Sequence, residues 1–515
     1  MTFEIVFVLL SLLGMVAALV ADKMRPGMIL FSVVVLFLCA GILTPKEMLE
    51  GFSNKGMITV ALLFLVSEGI RQSGTLGQVI KKLLPQGKTT VFKAQLRILP
   101  SVAFISAFLN NTPVVVIFAP IIKHWAKSVN LPATKFLIPL SYVTILGGIC
   151  TLIGTSTNLV VHGMILEAGF EGFSMFELGK VGVFIAIAGI IYIFLFSKRL
   201  LPDARPDTAV PDEEIEEGEK FHRVEAVLGA RFPGINKKLK DFNFQRHYGA
   251  EVKEIKTRNG QRFVTNLDDV VLHEGDTLVV MADDTFIPTW GESSVFVLLT
   301  NGNEPDTSGK KKRWFALLLL VLMIVGATVG ELPVTKEMFP DIKLDMFFFV
   351  SITTIIMAWT NLFPARKYTK YISWDILITI ACAFAISKAM VNSGVADSVA
   401  KFIIGLSDDY GPHVLLAMVF IITNLFTELV TNNAAAALAF PLALSISAQL
   451  GVSPTPFFVV MAASASFSTP IGYQTNLIVQ GIGNYKFTDF VRIGLPLNII
   501  TFLISVILIP LIWNF

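Results

Sequence analysis

Apolar residues along this chain form long runs that are separated by short polar segments. Runs of about 18 to 25 apolar residues are each long enough to cross the hydrocarbon core of a bilayer. Helices are predicted from these runs over residues 3–21, 26–43, 57–71, 136–166, 181–196, 314–329, 346–362, 374–391, 456–481 and 493–513. The pattern predicts an α-helical polytopic membrane protein. The first run lacks a basic leading segment and a small-residue cleavage site, so we expect a retained helix rather than a signal peptide.

Two further apolar segments are interrupted by polar residues in their middles. The first covers residues 98–126, and each of its halves has about 14 residues, which is too short to span a membrane. Basic residues flank both of its ends, so it is expected to enter and leave on one side as a re-entrant hairpin. The second segment, residues 413–448, has the same design. Irregular backbone at membrane depth is tolerated only where protein buries it or where it lines a cavity.

The same three landmarks occur once in each half of the chain, about 320 residues apart. They are a Ser-Gly pair after a helix, an Asn-rich hairpin tip, and a break rich in Gly, Ser and Thr within an apolar run. The landmarks end at or centre on Gly74, Asn111 and Asn158 in the first half and on Gly394, Asn432 and Asn476 in the second. Five spans per half is an odd number, which inverts the second repeat relative to the first, as in many transporters.

The middle of the chain has a different composition. Residues 201–312 contain an acidic linker, Asp212–Glu219, and then short alternating runs such as Glu251–Thr257 and Thr277–Met281 that are typical of strands. The sequence predicts a small soluble α+β insert here. It separates two membrane repeats that cover residues 1–200 and 313–515.

Lysine and arginine residues indicate which side faces the cytoplasm, because cytoplasmic loops are enriched in both. Placing the insert inside puts the basic segments 71–97, 123–135 and 310–313 on the same side. Both termini are then external, the first hairpin opens from the cytoplasm and the second opens from outside. We therefore expect a multi-pass protein of the cell membrane that contacts lipid and carries a cytoplasmic insert.

Composition narrows the classes of function. Hydrophobic residues make up 54% of the chain and charged residues 16%, with a mean hydropathy of +0.68, whereas a soluble protein of this length carries more charge. The net charge of +2 gives no reason to expect nucleic acid as a partner. The three cysteines lie in apolar segments and are expected to be buried thiols. The histidines show no metal-binding or nucleophilic spacing, so the sequence does not predict an enzyme.

The polar breaks contain Asn, Ser and Thr but no Asp, Lys or Arg. Carbonyl and amide oxygens at such breaks suit a hard cation such as sodium, while the N-termini of half-helices direct N–H groups at anions. A neutral centre disfavours a proton relay, which needs a titratable group. It favours a permanently charged anion that is carried with sodium. The alternative is that these side chains only hold helices together.

The chain resembles the divalent anion:sodium symporters of the ion transporter superfamily, which carry dicarboxylates, citrate or sulfate. Those symporters have Ser-Asn-Thr at each hairpin tip, and the positions here read Asn110-Asn111-Thr112 and Thr431-Asn432-Asn433. Their Thr-Glu-x-x-Ser-Asn-Thr stretch is matched from Thr427, and a Gly-Gly-x-x-Thr-x-x-Gly stretch is matched from Gly147. The differences from this motif at the two tips are expected to affect the choice of substrate rather than the fold.

The resemblance implies two sodium sites and one anion site between the hairpin tips. The implied sodium-binding residues are Ser106, Asn110, Asn111, Gly154 and Asn158 for the first site and Thr427, Thr431, Asn432, Gly472 and Asn476 for the second. The implied substrate-binding residues are Asn111, Thr112, Thr155, Asn432, Asn433 and Tyr473. Members of the family work as homodimers through an elevator motion of the hairpin-bearing domain, and we expect both properties here.

The insert resembles a TrkA-C domain, the ligand-binding half of potassium-transport regulators, at Ala226–Gly229, Tyr248–Val252 and Leu272–Leu278. Symporters with such an insert include sulfate transporters. The resemblance therefore implies sodium-coupled symport of a divalent oxyanion, sulfate first, with a dicarboxylate as the alternative. It also implies a small regulatory ligand on the insert, and the alternative is a module that only dimerises or stabilises.

Several features leave alternatives open. Thr469–Tyr473 partly resembles a potassium filter, so a cation channel gated by the insert is the alternative of a different class. Glu68 and Lys388 lie in apolar helices at equivalent repeat positions, where a charge indicates either function or a location near the membrane interface. Glu428 either tunes the second sodium site or hydrogen-bonds backbone.

Overall fold

The computed structural model describes residues 3–21, 24–203, 221–229, 231–257, 261–283, 286–290, 295–300, 310–405 and 411–515. The predicted acidic linker Asp212–Glu219 lies outside the described residues. Helices dominate the rest of the chain. Seven of the described helical segments are long and apolar enough to cross a membrane: Pro45–Gln72, Gly179–Leu200, Lys311–Gly330, Trp374–Asn392, Gly411–Leu429, Asn432–Leu450 and Phe487–Ile512.

The described residues of the first repeat form ten α-helices. The first five are α1 (Phe3–Ala21), α2 (Pro26–Cys39), α3 (Pro45–Glu50), α4 (Lys55–Gln72) and α5 (Thr75–Leu83). The next five are α6 (Val91–Ser106), α7 (Asn111–Ser128), α8 (Leu137–Gly148), α9 (Ser156–Glu167) and α10 (Gly179–Leu200). The hairpin of α6 and α7 has longer arms than predicted, because α6 continues beyond the apolar segment to a Thr90 cap that accepts from the Lys93 N–H.

The insert is a five-stranded antiparallel sheet with short helices. Its elements are β1 (Phe221–Leu228), α11 (Phe244–Tyr248), β2 (Glu251–Lys256), β3 (Arg262–Phe263), β4 (Thr277–Asp283), α12 (Phe286–Trp290) and β5 (Phe296–Thr300). The strand order is β3-β2-β4-β1-β5. The two strands that the sequence predicted correspond to β2 and β4.

The second repeat mirrors the first. Its first six helices are α13 (Lys310–Gly330), α14 (Pro333–Met338), α15 (Met346–Trp359), α16 (Tyr368–Tyr371), α17 (Trp374–Asn392) and α18 (Val395–Gly405). The remaining five are α19 (Gly411–Leu429), α20 (Asn432–Leu450), α21 (Thr455–Ala463), α22 (Gln474–Gly483) and α23 (Phe487–Ile512). The helices α4 to α10 correspond in order to α17 to α23.

Both Ser-Gly landmarks end a helix in the same way. Gly74 and Gly394 have φ angles of 71° and 75°, a left-handed conformation that strongly favours glycine. The hydroxyls of Ser73 and Ser393 each donate to a carbonyl of the preceding helix. Each turn leads into an amphipathic helix, α5 or α18, that the apolar runs did not predict.

The membrane helices pack as two groups. The hairpin bundle consists of α6 to α10 and α19 to α23, in which α6 packs on α8 and α10 packs on α23. The flanking bundle consists of α1 to α5 and α13 to α18, in which α2 packs on α17 and α13 packs on α15. The groups meet where α4 contacts α9 and where α17 contacts α20.

The burial of the helices fits a protein that is surrounded by lipid. Every residue of α8 is buried, so this half-helix lies at the centre of the hairpin bundle. Large apolar side chains are exposed on outer helices, for example Leu10, Leu195, Leu322 and Leu511 on α1, α10, α13 and α23. Because lipid covers such surfaces at no cost, their exposure fits a polytopic membrane protein.

Candidate functional site

The first hairpin tip is shaped by three consecutive residues. Helix α7 begins at Asn111 because the Asn110 carboxamide accepts from the Thr112 N–H at 3.4 Å, and because Pro113 in the first turn needs no hydrogen bond for its nitrogen. The Ser106 hydroxyl donates to Asn111 Oδ1 at 2.8 Å across the turn. Asn110 also lines a cavity that extends from the tip to α4 and α13.

The first helix break is held open by side chains. The Thr151 hydroxyl donates to the Ala107 carbonyl of the hairpin and accepts from the Gly154 N–H at 3.2 Å. Asn158 Nδ2 donates to the carbonyls of Gly148 and Thr151 at 3.3 and 2.8 Å. These bonds satisfy backbone groups that α8 and α9 leave unpaired within the membrane.

The second break repeats this arrangement. The Thr469 hydroxyl donates to the Glu428 carbonyl at 3.0 Å and accepts from the Gly472 N–H at 3.2 Å. Asn476 Nδ2 donates to the carbonyls of Ser466 and Thr469 at 3.4 and 3.1 Å. The repetition therefore extends from the sequence to individual hydrogen bonds.

At the hairpin tips and the helix breaks, side chains of the two repeats form a polar cluster. Four contacts join them: Thr112 Oγ1 to Gln474 Oε1 at 3.2 Å, Thr155 Oγ1 to the Tyr473 hydroxyl at 2.9 Å, Ser156 Oγ to Asn433 Oδ1 at 3.2 Å, and Asn432 Nδ2 to Thr157 Oγ1 at 2.8 Å. Helices α7, α9, α20 and α22 all begin within this cluster. Four helix N-termini, each with unpaired N–H groups and a partial positive charge, therefore converge on one centre.

Tyr473 occupies the middle of the cluster. It is buried, and its hydroxyl lies near the side chains of Asn111, Thr157 and Asn432 in addition to its bond with Thr155. The equivalent position in the first repeat is Thr155 itself, so the two repeats place a large and a small hydroxyl side chain opposite each other. The centre is thus rich in donors but asymmetric.

Oxygen atoms gather around the first break. A Cβ at Gly148 would lie 2.7 Å from Asn111 Oδ1 and 3.1 Å from the Gly154 carbonyl, so both oxygens are immediate neighbours of this glycine. Asn158 bonds the Gly148 carbonyl through its nitrogen, while its buried Oδ1 has no hydrogen-bond partner among the described residues. An unpaired buried oxygen beside other oxygens is suited to a cation ligand.

The second break has a different distribution of oxygens. A Cβ at Gly472 would lie 2.5 Å from the Thr427 carbonyl, which is therefore adjacent to the break. The buried Thr431 Oγ1 has no partner among the described residues, whereas Asn476 Oδ1 accepts from the Ser141 hydroxyl at 2.7 Å. Of the two equivalent asparagines, only Asn158 has its oxygen available.

Glu428 binds backbone and polar side chains at the second break. Its carboxylate accepts from the N–H groups of Phe467 and Ser468 at 3.0 and 2.9 Å, and from the side chains of Ser466 and Asn498 at 2.8 and 2.6 Å. The structure favours the backbone-binding alternative for this residue.

Glu68 and Lys388, the two charged residues at equivalent positions of the repeats, are not part of the polar cluster between the hairpin tips. Glu68 bonds Arg71 and Gln72 in its own helix, with 2.7 Å between Glu68 Oε1 and Arg71 Nη2. Lys388 is exposed and interacts electrostatically with Glu47 and Glu167. Glu68 is thus paired within its own helix, whereas Lys388 is exposed near two carboxylates, and neither side chain is part of the polar cluster.

Sequence reasoning missed several members of the cluster. Thr151 and Thr469 each hold a break to its hairpin, and Gln474 joins the second break to the first tip. The two threonines lie at equivalent positions of the repeat, so that equivalence was a usable signal. Gln474 has no such signal, because its contact depends on how the repeats pack.

Comparisons with known proteins agree with this architecture. A family model described as citrate transporter matches residues 16–464 and 342–515. The chain is 30% identical to an uncharacterised transporter of Synechocystis over 94% of this chain and 93% of that protein. It is 28% identical to a putative sulfur deprivation response regulator of Chlamydomonas reinhardtii, over 93% of this chain and 96% of that protein.

A further relative is the probable sodium/sulfate cotransporter 3 of the same alga, which is 23% identical over 93% of this chain and 85% of its own length. The relatives are thus matched along nearly their whole lengths, including both repeats. With two hairpins and two broken helices in inverted repeats, the chain belongs to the citrate transporter family, among the divalent anion:sodium symporters.

Proposed function

We propose that this protein is a secondary active transporter that couples a small divalent oxyanion, with sulfate expected first, to sodium ions. The observation that carries the proposal is the convergence of four helix N-termini on one polar centre between the repeats. Such N-termini favour an anion. The anion would contact Asn111, Thr112, Thr155, Asn432, Asn433 and Tyr473.

Buried oxygens on either side of this centre support sodium as the coupled ion. We assign the first sodium site to Ser106, Asn110, Asn111, Asn158 and the Gly154 carbonyl. We assign the second to Thr427, Thr431, Asn432 and the backbone near Gly472, with Asn476 holding the break rather than binding the ion. The name of the algal sodium/sulfate cotransporter relative supports both ligands.

The two bundles suggest how the centre is exposed to each side in turn. The hairpin bundle carries all the proposed ligands and packs against the flanking bundle at α4–α9 and α17–α20, so an elevator motion of the former against the latter is the proposed mechanism. We also propose a homodimer, a cytoplasmic TrkA-C-like insert between repeats at 1–200 and 313–515, and external termini, on the charge distribution described above.

Uptake into proteoliposomes tests this proposal. Labelled sulfate should accumulate when a sodium gradient is imposed, and uptake should fall to background when choline replaces sodium outside. Equal uptake in the two conditions would contradict coupling. Unitary currents of channel size in a planar bilayer would instead favour the gated cation channel.

A dicarboxylate is the second candidate substrate, and a particular contact bears on the choice. Asn433 accepts from Ser156 at 3.2 Å, so the second tip is held against the start of α9. With the tip held there, we expect a small tetrahedral anion such as sulfate to fit better than an extended dicarboxylate. Unlabelled succinate should therefore compete with labelled sulfate only weakly, and equal competition by the two anions would favour the dicarboxylate.

A further inference from the structure

Both faces of the insert's sheet are buried where β1 pairs with β4, although only one of them belongs to the insert's own core. Successive strand residues point to opposite faces. Val224 and Ala226 of β1 lie in the core of the insert, whereas Val227 lies in the core of the membrane helices. Val227 pairs with Thr277 of β4, and both residues are almost completely buried. At β1 and β4 the second face of the sheet is therefore covered by the membrane part of the chain.

An ion cluster joins this face to the first hairpin. Glu225 of β1 accepts from Lys123 Nζ of α7 at 3.0 and 2.9 Å, and from Lys256 Nζ of β2 at 3.3 Å. The side chains of Lys123 and Glu225 are 23% and 19% exposed, and that of Lys256 is 4% exposed. Separating a pair that is this buried leaves charges without their partners, which is unfavourable.

A second contact joins the insert to α22. Gly275 has a φ angle of 85°, and a Cβ there would lie 2.7 Å from Leu477 Cγ. A Cβ at Gly481 would lie 2.7 Å from Thr277 Oγ1 and 3.0 Å from the Gly275 carbonyl. The absence of two side chains thus lets the turn before β4 lie directly on the helix, and the insert contacts one element from each repeat.

The chain that leads into the insert is fixed to the same bundle. Lys135 is almost fully buried, and its Nζ donates to the carbonyls of Lys198 and Leu201 where α10 ends. Towards the flanking bundle, Arg231 is close enough to Asp375 in the first turn of α17 for their charges to interact. Contacts with the hairpin bundle are therefore close-packed, and a charge interaction between Arg231 and Asp375 also reaches the flanking bundle.

We propose that the insert is docked permanently on the hairpin bundle and moves with it as one body during transport. This inference rests on the elevator mechanism proposed above. Its consequence is that anything bound by the insert acts on transport directly through α7 and α22. The boundary at which sliding occurs is the one between Arg231 and Asp375.

Two cross-links in a protein with all three native cysteines replaced by alanine test the proposal. Thr277→Cys with Gly481→Cys places two thiols in a geometry that suits a disulfide between the insert and α22. Arg231→Cys with Asp375→Cys, joined by a bis-maleimide, links the insert to the flanking bundle instead. Cross-linking is measured on gels, independently of uptake.

We expect the disulfide to leave at least half of the sodium-driven sulfate uptake, and the bis-maleimide link to reduce uptake at least tenfold. Loss of uptake in the disulfide-linked protein that is restored by reductant would overturn the proposal, as would unchanged uptake in the bis-maleimide-linked protein. Absence of uptake in the cysteine-free parent would instead count against the proposed symport.

Distances between spin labels test the same motion without any uptake measurement. Exposed positions are available on the insert at Lys253, on α7 at His124 and on the flanking bundle at Arg366. With and without sodium and sulfate, the 253–124 distance should stay constant, while the 253–366 distance should shift or broaden. A change in the first distance, or constancy of both, would contradict joint movement.

Discussion

Asn158 and Asn476 occupy equivalent positions in the two repeats, yet their side-chain oxygens differ in their hydrogen bonds. Both donate to two carbonyls of their own break, but only the oxygen of Asn476 is engaged, by Ser141. The two asparagines therefore allow a matched comparison between an oxygen that we propose binds sodium and an oxygen that is hydrogen-bonded within the protein. Replacing either asparagine removes the same two donor bonds, so any difference between the variants reports on the oxygen.

We expect Asn158→Ala to raise the sodium concentration for half-maximal sulfate uptake about tenfold, equivalent to about 1.4 kcal/mol. Asn476→Ala should change it less than about threefold, although both variants should unfold more easily by about 1–3 kcal/mol because buried carbonyls lose partners. Sodium titrations of uptake, with thermal unfolding as the folding control, measure both effects. Equal sodium dependence in the two variants would show that Asn158 is not part of the first sodium site.

Tyr473 gives a separate prediction for the anion. Tyr473→Phe removes the central hydroxyl, and we expect half-saturating sulfate to rise about tenfold, the equivalent of one charge-assisted hydrogen bond. Half-saturating sodium should change little. The control is Tyr485→Phe, whose buried hydroxyl donates to the Thr134 carbonyl and should affect stability only. A sulfate affinity that is unchanged in Tyr473→Phe would place the anion elsewhere.

The residues of the candidate site were partly predictable from sequence. The repeated tips and breaks identified Asn111, Asn158 and Asn432 because an amide inside an apolar run is unusual in itself. The different roles of Asn158 and Asn476 were not predictable, since they depend on Ser141, a residue of α8 that is far from Asn476 in sequence. Equivalence within a repeat predicts position, and packing then decides which atoms stay unpaired.

At the level of elements, Glu428 fixes the second broken helix to the second hairpin. Glu428→Gln would turn an amide N–H₂ towards groups that are donors, so we expect unfolding to become easier by about 1–3 kcal/mol and transport to fall sharply. Glu68→Gln is the matched control, because it loses an i,i+3 pair worth about 0.5 kcal/mol. Thermal unfolding of the two variants in the same detergent tests this, and equal shifts would contradict it.

The contact between the insert and α7 should depend on pH. Burial alone would raise the pKa of Glu225, but the charges of Lys123 and Lys256 outweigh burial and lower the pKa from 4.5 to about 2. The carboxylate therefore stabilises docking fully above about pH 4.5 and loses its contribution as the pH falls towards 2. The 253–124 spin-label distance should broaden over this range, and Glu225→Gln should broaden it already at neutral pH. A distance that is constant from pH 7 to 3 would contradict this assignment.

Most membrane helices could be predicted from the long apolar runs, because burial and lipid contact both require long apolar helices. Helices α5 and α18 were not predicted, because an amphipathic helix beside a membrane has a polar face and its sequence resembles that of a connecting loop. The docking of the insert was also beyond prediction. Lys123 and Glu225 are about 100 residues apart, and only the folded chain shows that they pair.

For the whole molecule, we propose that one neutral centre between the two repeats holds an anion and sodium together. Such a centre makes the two affinities interdependent, and the coupling must be the same in both directions. Equilibrium binding of labelled sulfate to the purified protein, in sodium and in choline, tests this most directly. We predict at least tenfold tighter sulfate binding in sodium, and an equal gain in sodium affinity when sulfate is present. Sulfate binding of the same strength in choline would show that sodium and sulfate do not share a centre.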